Sequence, residues 1–188
     1  MARTSLNKDQ QQQLLILAKK AIQHGLTTGN PLKVDLADFP SELTVQRATF
    51  VTLQKHGQLR GCIGMLTAVR PLVEDIAENA FYAAFRDPRF PPLTAQELAD
   101  LDIHLSILSP SEPMIFSSEQ DLVNQIQPNI DGLILQEGHQ RGTFLPSVWE
   151  QLPDPQQFLR HLKQKAGLSP DYWSNTLKIY RYTTEIID

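Results

Sequence analysis

The most informative stretch of this chain is Leu59-Arg60-Gly61-Cys62-Ile63-Gly64. It contains the only cysteine among 188 residues. Residues i and i+2 of a strand share a face, so the side chains of Arg60 and Cys62 are predicted to point the same way. Gly61 and Gly64 remove side chains that would crowd the neighbouring backbone. A nearby guanidinium favours the reactive thiolate form of cysteine, so the pattern is typical of a reactive thiol. A buried, inert cysteine is the alternative.

The stretch is the second arm of a predicted β-hairpin. Its predicted tight turn is His56-Gly57, because glycine-containing pairs suit two-residue loops. This register places Val51 opposite Cys62 and Leu53 opposite Arg60, and a one-residue slip would change these neighbours. Both faces of the hairpin are largely apolar. It is therefore predicted to be a central, covered strand pair.

Hydrophobic periodicity and capping residues predict helices and further strands around the hairpin. Asn7 is the predicted N-cap of the first helix, and Gly25 is its predicted C-terminal stop. The predicted helices span residues 8–23, 71–85, 118–126 and 155–166, with a short helix capped by Thr94 and Glu97. The predicted further strands span residues 102–108, 132–136, 141–145 and 177–183. This order lacks regular βαβ alternation, so we predict an α+β fold in one domain over residues 1–188.

Composition narrows the classes of function. A formal net charge of −4 gives no basic footprint, so neither nucleic acid nor an anionic membrane is an expected partner. One cysteine cannot form an intramolecular disulfide, which suits a reducing compartment. The segment Met1–Gln13 is polar and lacks the apolar run of a signal peptide, and no apolar stretch is long enough to span a bilayer. The sequence therefore predicts a soluble, cytoplasmic protein.

Two further segments carry candidate site residues. Prolines stiffen the segment Asp87-Pro88-Arg89-Phe90-Pro91-Pro92, which could present Asp87 and Arg89 toward a pocket. The alternative is a structural corner in which Arg89 pairs with Asp87 or with a helix end. Thr143 lies near the end of a predicted strand, where it could line a cleft or belong to an edge strand.

Histidine spacing gives no support for a local metal site. The five histidines form no HxH or HxxxH pair, so no metal is predicted and any cofactor is left open. His104 lies on a predicted strand, and a nucleophile–base pair of Cys62 with His104 is one hypothesis. A structural histidine is the alternative.

Several segments form an ordered series through nearly the whole chain, about residues 10–185. They are Phe50-Val51-Thr52-Leu53, Leu59-Arg60-Gly61-Cys62-Ile63-Gly64, Asp87, Arg89-Phe90-Pro91-Pro92-Leu93, Glu97-Leu98, Gly132-Leu133-Ile134, Thr143-Phe144-Leu145-Pro146 and Tyr180-Arg181-Tyr182. The series resembles the AMMECR domain family, and most closely its prokaryotic branch, the AmmeMemoRadiSam system protein A group.

The resemblance implies a compact α+β fold of two unequal lobes, with the strand that carries Cys62 lining a cleft between them. It also implies two partners: a Memo-type protein, which resembles non-haem-iron extradiol dioxygenases, and a radical-SAM protein. No established reaction comes with the resemblance, and fold transfers between relatives better than chemistry does.

Our leading hypothesis is a small-molecule enzyme, or an enzyme component of that system, with Cys62 as nucleophile or thiolate ligand. Arg60 would favour the thiolate or bind an anionic substrate group. The expected substrate-binding residues are Gly61, Gly64, Asp87, Arg89 and Thr143. The alternative is a non-catalytic binding or scaffold module that docks on those partners, with Cys62 as a packing residue.

Overall fold

The computed structural model describes residues 5–188, which form two compact units. The first unit contains the described residues up to 108 together with residues 185–188, and the second contains residues 109–184. Of the polar segment Met1–Gln13, residues 1–4 lie outside the described residues.

In the first unit, two helices pack against a four-stranded sheet. The helices are α1 (Lys8–Thr28) and α2 (Leu72–Phe85), and the strands are β1 (Thr49–Lys55), β2 (Gln58–Gly64), β3 (Leu101–Leu108) and β8 (Thr184–Ile187). The strand order is β2-β1-β3-β8. Fully buried side chains of helices and sheet, such as Ile22, Leu53, Ile76 and Leu105, form the core. Each such side chain contributes about 1.5–3 kcal/mol through burial.

Helix α1 begins as predicted and ends later than predicted. Asn7 is its N-cap and forms a capping box with Gln10, but the helix continues to Thr28 before Gly29 adopts a φ of 73°. Gly25 is therefore not a stop, and that prediction was wrong. A Cβ atom at Gly25 would lie 2.4 Å from the ring of Phe85, so the glycine is needed where α1 packs on α2.

The first hairpin has the predicted turn. His56 and Gly57 have φ values of 53° and 75°, and Lys55 pairs with Gln58 on either side of them. The sheet position of β2 differs from the prediction, because β2 is an edge strand and only β1 is central. Apolar composition on both faces did not distinguish these two positions.

The predicted hairpin register is wrong by one residue. Cys62 pairs with Thr52 rather than with Val51, and Leu53 pairs with Gly61 rather than with Arg60. The register shifts at Leu53/Gln54, where β2 contributes one extra residue, Arg60. This β-bulge interrupts the regular alternation on which the prediction of a shared face for Arg60 and Cys62 depended.

The second unit has its own four-stranded sheet and core. Its strands are β4 (Glu112–Pro113), β5 (Gly132–Glu137), β6 (Gln140–Phe144) and β7 (Lys178–Tyr182), in the order β4-β7-β5-β6, and its helices are α3 (Glu119–Gln125) and α4 (Pro155–Lys165). The rings of Trp149 and Phe158 stack in its core with centroids 3.8 Å apart. The predicted hairpin of β5 and β6 is confirmed.

The α+β prediction is confirmed by helices packed with two sheets whose described pairings are antiparallel. Strands β4 and β8 were not predicted, because both are short and β8 follows β7 without a glycine or proline to mark the boundary. Within residues 5–188, none of the helices is long and apolar enough to cross a membrane.

Candidate functional site

The candidate site lies in the first unit, where the segment after α2 runs beside the free edge of β2. An edge strand has backbone N–H and C=O groups without a strand partner. At Cys62, two side chains of this segment take the place of a strand partner. The Asp87 carboxylate accepts a hydrogen bond from the Cys62 N–H at 3.0 Å, and Arg89 Nη2 lies 3.4 Å from the Cys62 carbonyl oxygen. The two side chains together therefore cover the strand edge at Cys62.

Asp87 and Arg89 form a two-pronged ion pair. Arg89 Nη2 donates to Asp87 Oδ2 at 2.7 Å, and Arg89 Nε donates to Oδ1 at 3.0 Å. The Asp87 side chain is only 2% exposed. The hydrogen bond from Arg89 is the largest cause that holds the pKa of Asp87 well below its usual range. The Arg89–Asp87 pair named in the structural interpretation is present, and a role of the two residues at a pocket stays a prediction.

Arg89 is the guanidinium that lies at the Cys62 backbone, with its Nη2 3.4 Å from the carbonyl oxygen. Its hydrogen bond to Asp87 is the main factor that raises the pKa of Arg89. The Arg89 side chain is 55% exposed, and its Nη1 has no hydrogen-bond acceptor among residues 5–188. A buried carboxylate therefore holds one side of the guanidinium and leaves the other side open.

The Cys62 thiol is half-buried and has a hydroxyl neighbour. Its Sγ lies 3.2 Å from Oγ1 of Thr52, the residue directly opposite on β1. Thr52 pairs in turn with His104 on β3, so the three residues form a row across adjacent strands. Because strands lie about 4.8 Å apart, the Cα atoms of Cys62 and His104 are about 10 Å apart. The hypothesis of a direct Cys62–His104 pair is therefore wrong.

Arg60 is engaged away from the sulfur. Its Nε donates to Glu97 Oε1 at 2.9 Å, and its Nη2 donates to the Pro91 carbonyl at 2.8 Å. The hydrogen bond from Arg60 is the main cause that lowers the pKa of Glu97 to about 2. Thr94 and Glu97 form the predicted capping box, so Arg60 attaches this short helix to β2.

The two glycines of the stretch are explained by close packing. A Cβ atom at Gly61 would lie 2.1 Å from the backbone oxygen of Ala83 on α2. At Gly64 it would lie 2.3 Å from the backbone oxygen of Thr49. Both distances are well below van der Waals contact. The fold therefore requires glycine at these two positions, independently of any role of Gly61 and Gly64 in binding a ligand.

Thr143 lies in the second unit. Its hydroxyl donates to the Leu133 carbonyl at 2.8 Å and lies 3.0 Å from the Tyr182 hydroxyl. Burial raises the pKa of Tyr182 to about 12. The Thr143 hydroxyl thus serves the sheet of its own unit, and its role in a substrate site stays a prediction.

Sequence comparison assigns the chain to a family. The AMMECR1 family model matches residues 15–187. The chain belongs to the AMMECR1 family. A protein of Methanothermobacter thermautotrophicus is 38% identical over 183 residues, which cover 96% of this chain and 95% of the relative. A protein of Thermococcus gammatolerans is 38% identical over 193 residues and covers 96% and 91%.

A solved structure supports the same conclusion. The crystal structure of the uncharacterised protein PH0010 of Pyrococcus horikoshii matches this AMMECR1 chain with a TM-score of 0.87 and 36% identity, over 96% of this chain and 92% of that one. The resemblance to the AMMECR domain family and the α+β fold are both confirmed. The names of these relatives state no reaction.

Sequence analysis missed two residues of this AMMECR1 site. Thr52 faces the sulfur only because the bulge moves the register. The Phe90 ring lies near two guanidinium groups, with its centroid 5.9 Å from Arg60 Cζ and 5.5 Å from Arg89 Cζ. The position of Phe90 directly after Arg89 was the available signal for this cation–π cluster. No group of three or more potential metal ligands occurs within residues 5–188.

Proposed function

We propose that this AMMECR1 domain is a small-molecule enzyme, or the substrate-handling component of a larger enzyme system. Cys62 is the reacting thiol, and Arg89 binds an anionic group of the substrate. The observation that carries the proposal is the half-buried Cys62, whose backbone carbonyl oxygen lies 3.4 Å from the exposed Arg89 guanidinium that the buried Asp87 carboxylate orients. A pre-oriented cation beside a thiol is a recurring arrangement in cysteine chemistry.

Each neighbour of Cys62 has a separate task. The Thr52 hydroxyl lies 3.2 Å from Sγ, where it can donate a hydrogen bond to the sulfur as the thiol reacts. Arg89 attracts the substrate anion, and a guanidinium is suited to this because it stays charged and offers directed donors. Asp87 is a positioning residue, since it touches Arg89 and the Cys62 backbone. The Arg60–Glu97 pair attaches the short helix to β2, which replaces the direct role first expected for Arg60.

The proposal includes partners and a location. The family resemblance supports a Memo-type protein and a radical-SAM protein as partners in the cytoplasm. An enzyme component with one reactive thiol fits such a system, because radical-SAM chemistry is carried by the partner's cofactor.

The rival function is a non-catalytic binding or scaffold module for the same partners. One observation favours it: much of the Leu59–Gly64 stretch is explained by the fold. Gly61 and Gly64 relieve close backbone contacts, and Arg60 binds Glu97. On this alternative, Cys62 only packs beside Thr52.

Retention of small molecules separates the two functions. Purified wild type, Cys62→Ala and Cys62→Ser are incubated with a size-filtered metabolite extract, washed, and analysed by mass spectrometry. We expect wild type to retain at least one anionic compound that Cys62→Ala retains at least tenfold less. Equal retention of every compound by all three proteins would favour the module. Backbone amide NMR spectra of the two variants, compared with that of wild type, control for misfolding.

A further inference from the structure

A second recess lies at the turn of the β1–β2 hairpin. Its volume is about 420 Å³, which falls within the range of ligand sites. Its lining residues are Lys55, His56, Gln58, Leu59, Arg60 and Glu97. The Cys62 sulfur is not part of this lining, so the recess is distinct from the proposed thiol site.

The recess has more positive than negative charge. Lys55 Nζ lies 3.5 Å from Glu97 Oε1, and the Lys55 side chain is 33% exposed. The Glu97 carboxylate already accepts hydrogen bonds from Arg60 and from the Thr94 backbone. One carboxylate therefore faces two permanent cations. His56 lies 3.7 Å from Asp100, which is not among the residues that line the recess.

Lys55 and Arg60 both have donors without acceptors in the described part of the chain. The Lys55 ammonium makes no hydrogen bond there beyond its ionic contact with Glu97. Arg60 is 8% exposed, and its Nη1 is buried without a hydrogen-bond partner. A buried donor left unpaired costs about 1–3 kcal/mol, and native proteins rarely tolerate it. An acceptor from outside the chain would remove this cost once a small movement of the Lys55 or Arg60 side chain opens Nη1 to the recess.

We propose that this recess binds the singly charged oxyanion group of a small molecule, a carboxylate or a phosphodiester. Lys55 and Arg60 supply the donors, and one negative charge completes the balance with Glu97. This site is independent of Cys62, so it binds its anion whether or not the thiol reacts. In this proposal Arg60 binds a ligand in the recess beside the hairpin turn and not at the thiol site.

Acetate and dimethyl phosphate are the probes. Acetate represents the carboxylate and dimethyl phosphate the phosphodiester, and each carries one negative charge. Each is titrated at constant ionic strength, with chloride as the replaced ion, while backbone amide resonances are followed by NMR. We expect saturable shifts confined to residues 55–60 and Glu97. The oxyanion that saturates at the lower concentration identifies the preferred chemistry.

Matched variants make this test specific. Lys55→Gln is expected to weaken binding of the preferred probe at least tenfold, and Lys55→Arg is expected to keep it within about threefold. Lys20→Gln removes the same charge from an exposed position on α1 and is expected to leave binding unchanged, as is Cys62→Ala. Shifts that do not saturate, or equal weakening by Lys20→Gln and Lys55→Gln, would overturn the proposal. The same holds if Lys55→Gln binds like wild type.

Discussion

Gly61→Ala is expected to lower the free energy of unfolding of the first unit by about 3 kcal/mol or more. The new methyl group would lie 2.1 Å from the Ala83 backbone oxygen, so either α2 or β2 must move. Overpacking of a tight core costs about 1–3 kcal/mol when side chains can yield, and backbone yields less readily. The added methyl group would contact neither Thr52 nor the Cys62 sulfur, so we expect it to reduce stability through the clash with Ala83 alone.

The measurement must report on the first unit. Both tryptophans, Trp149 and Trp173, lie in the second unit, so tryptophan fluorescence would follow the wrong part of the chain. Amide hydrogen exchange of β1 and β2 under native conditions is the suitable measurement. Gly57→Asn is the matched control, because Gly57 has a φ of 75°, which asparagine tolerates, and open space around it. Equal stability of Gly61→Ala and wild type would contradict the packing explanation.

Asp87→Ala is expected to destabilise the first unit by about 3 kcal/mol. The change removes the acceptor of the Cys62 N–H and both acceptors of the Arg89 guanidinium at a position that is 2% exposed. Charge-assisted hydrogen bonds contribute about 1.5–3 kcal/mol each, and a buried donor is left unpaired. Asp87→Asn keeps the shape and one acceptor, so we expect about half this effect.

The effect of Asp87 depends on pH in a defined direction. Arg89 lowers the pKa of Asp87 in the folded protein, so the unfolded chain binds a proton first as pH falls. The stabilisation is therefore fully present above about pH 4 and decreases as pH falls further. The difference between wild type and Asp87→Asn in β2 hydrogen exchange should shrink over that interval. A difference that grows toward acid pH would contradict the ion pair.

A control for charge alone is available in the same unit. Asp38 is exposed, so Asp38→Ala removes one negative charge without removing a buried acceptor. Surface substitutions of this kind usually change stability by no more than about 0.5 kcal/mol. If Asp38→Ala and Asp87→Ala were equally destabilising, the contacts at Cys62 would not be the cause.

Local features of this fold were predictable, because they depend on neighbouring residues. The His56-Gly57 turn follows from the positive φ that glycine accepts, and the Asn7 cap follows from side-chain acceptors close to free helix N–H groups. The pairing of Arg89 with Asp87 was one of two predicted outcomes, and only two residues separate them.

Features that depend on distant contacts were not predictable. The extra residue at Arg60 shifts the register, and it occurs where β2 meets α2 and the short helix that contains Glu97. Gly25 was misread for the same reason: a glycine that ends a helix and a glycine that admits a phenylalanine ring look alike in sequence. The edge position of β2 also depends on the partners available in three dimensions.

Because of the bulge, the arginine next to Cys62 is Arg89 and not Arg60. From alternation alone, Arg60 was the expected neighbour, whereas the structure engages Arg60 with Glu97 and brings Arg89 to Cys62. The proposed chemistry survives this change, because the Arg89 guanidinium lies at the backbone of Cys62. The residue to mutate in a test is therefore Arg89 and not Arg60.

The most direct test compares alkylation of Cys62 by iodoacetate, which is anionic, and by iodoacetamide, which is neutral. Because Cys62 is the only cysteine, each rate reports on one site. We predict that the iodoacetate-to-iodoacetamide rate ratio is about fivefold higher in the native protein than in the urea-unfolded chain, since a nearby guanidinium attracts an anion by about 1 kcal/mol. The excess should disappear in Arg89→Gln and persist in Arg86→Gln, which removes an exposed charge three residues earlier. A native ratio no higher than the unfolded one, or a ratio that Arg89→Gln leaves unchanged, would contradict the assignment of Cys62 and Arg89 as a reactive pair.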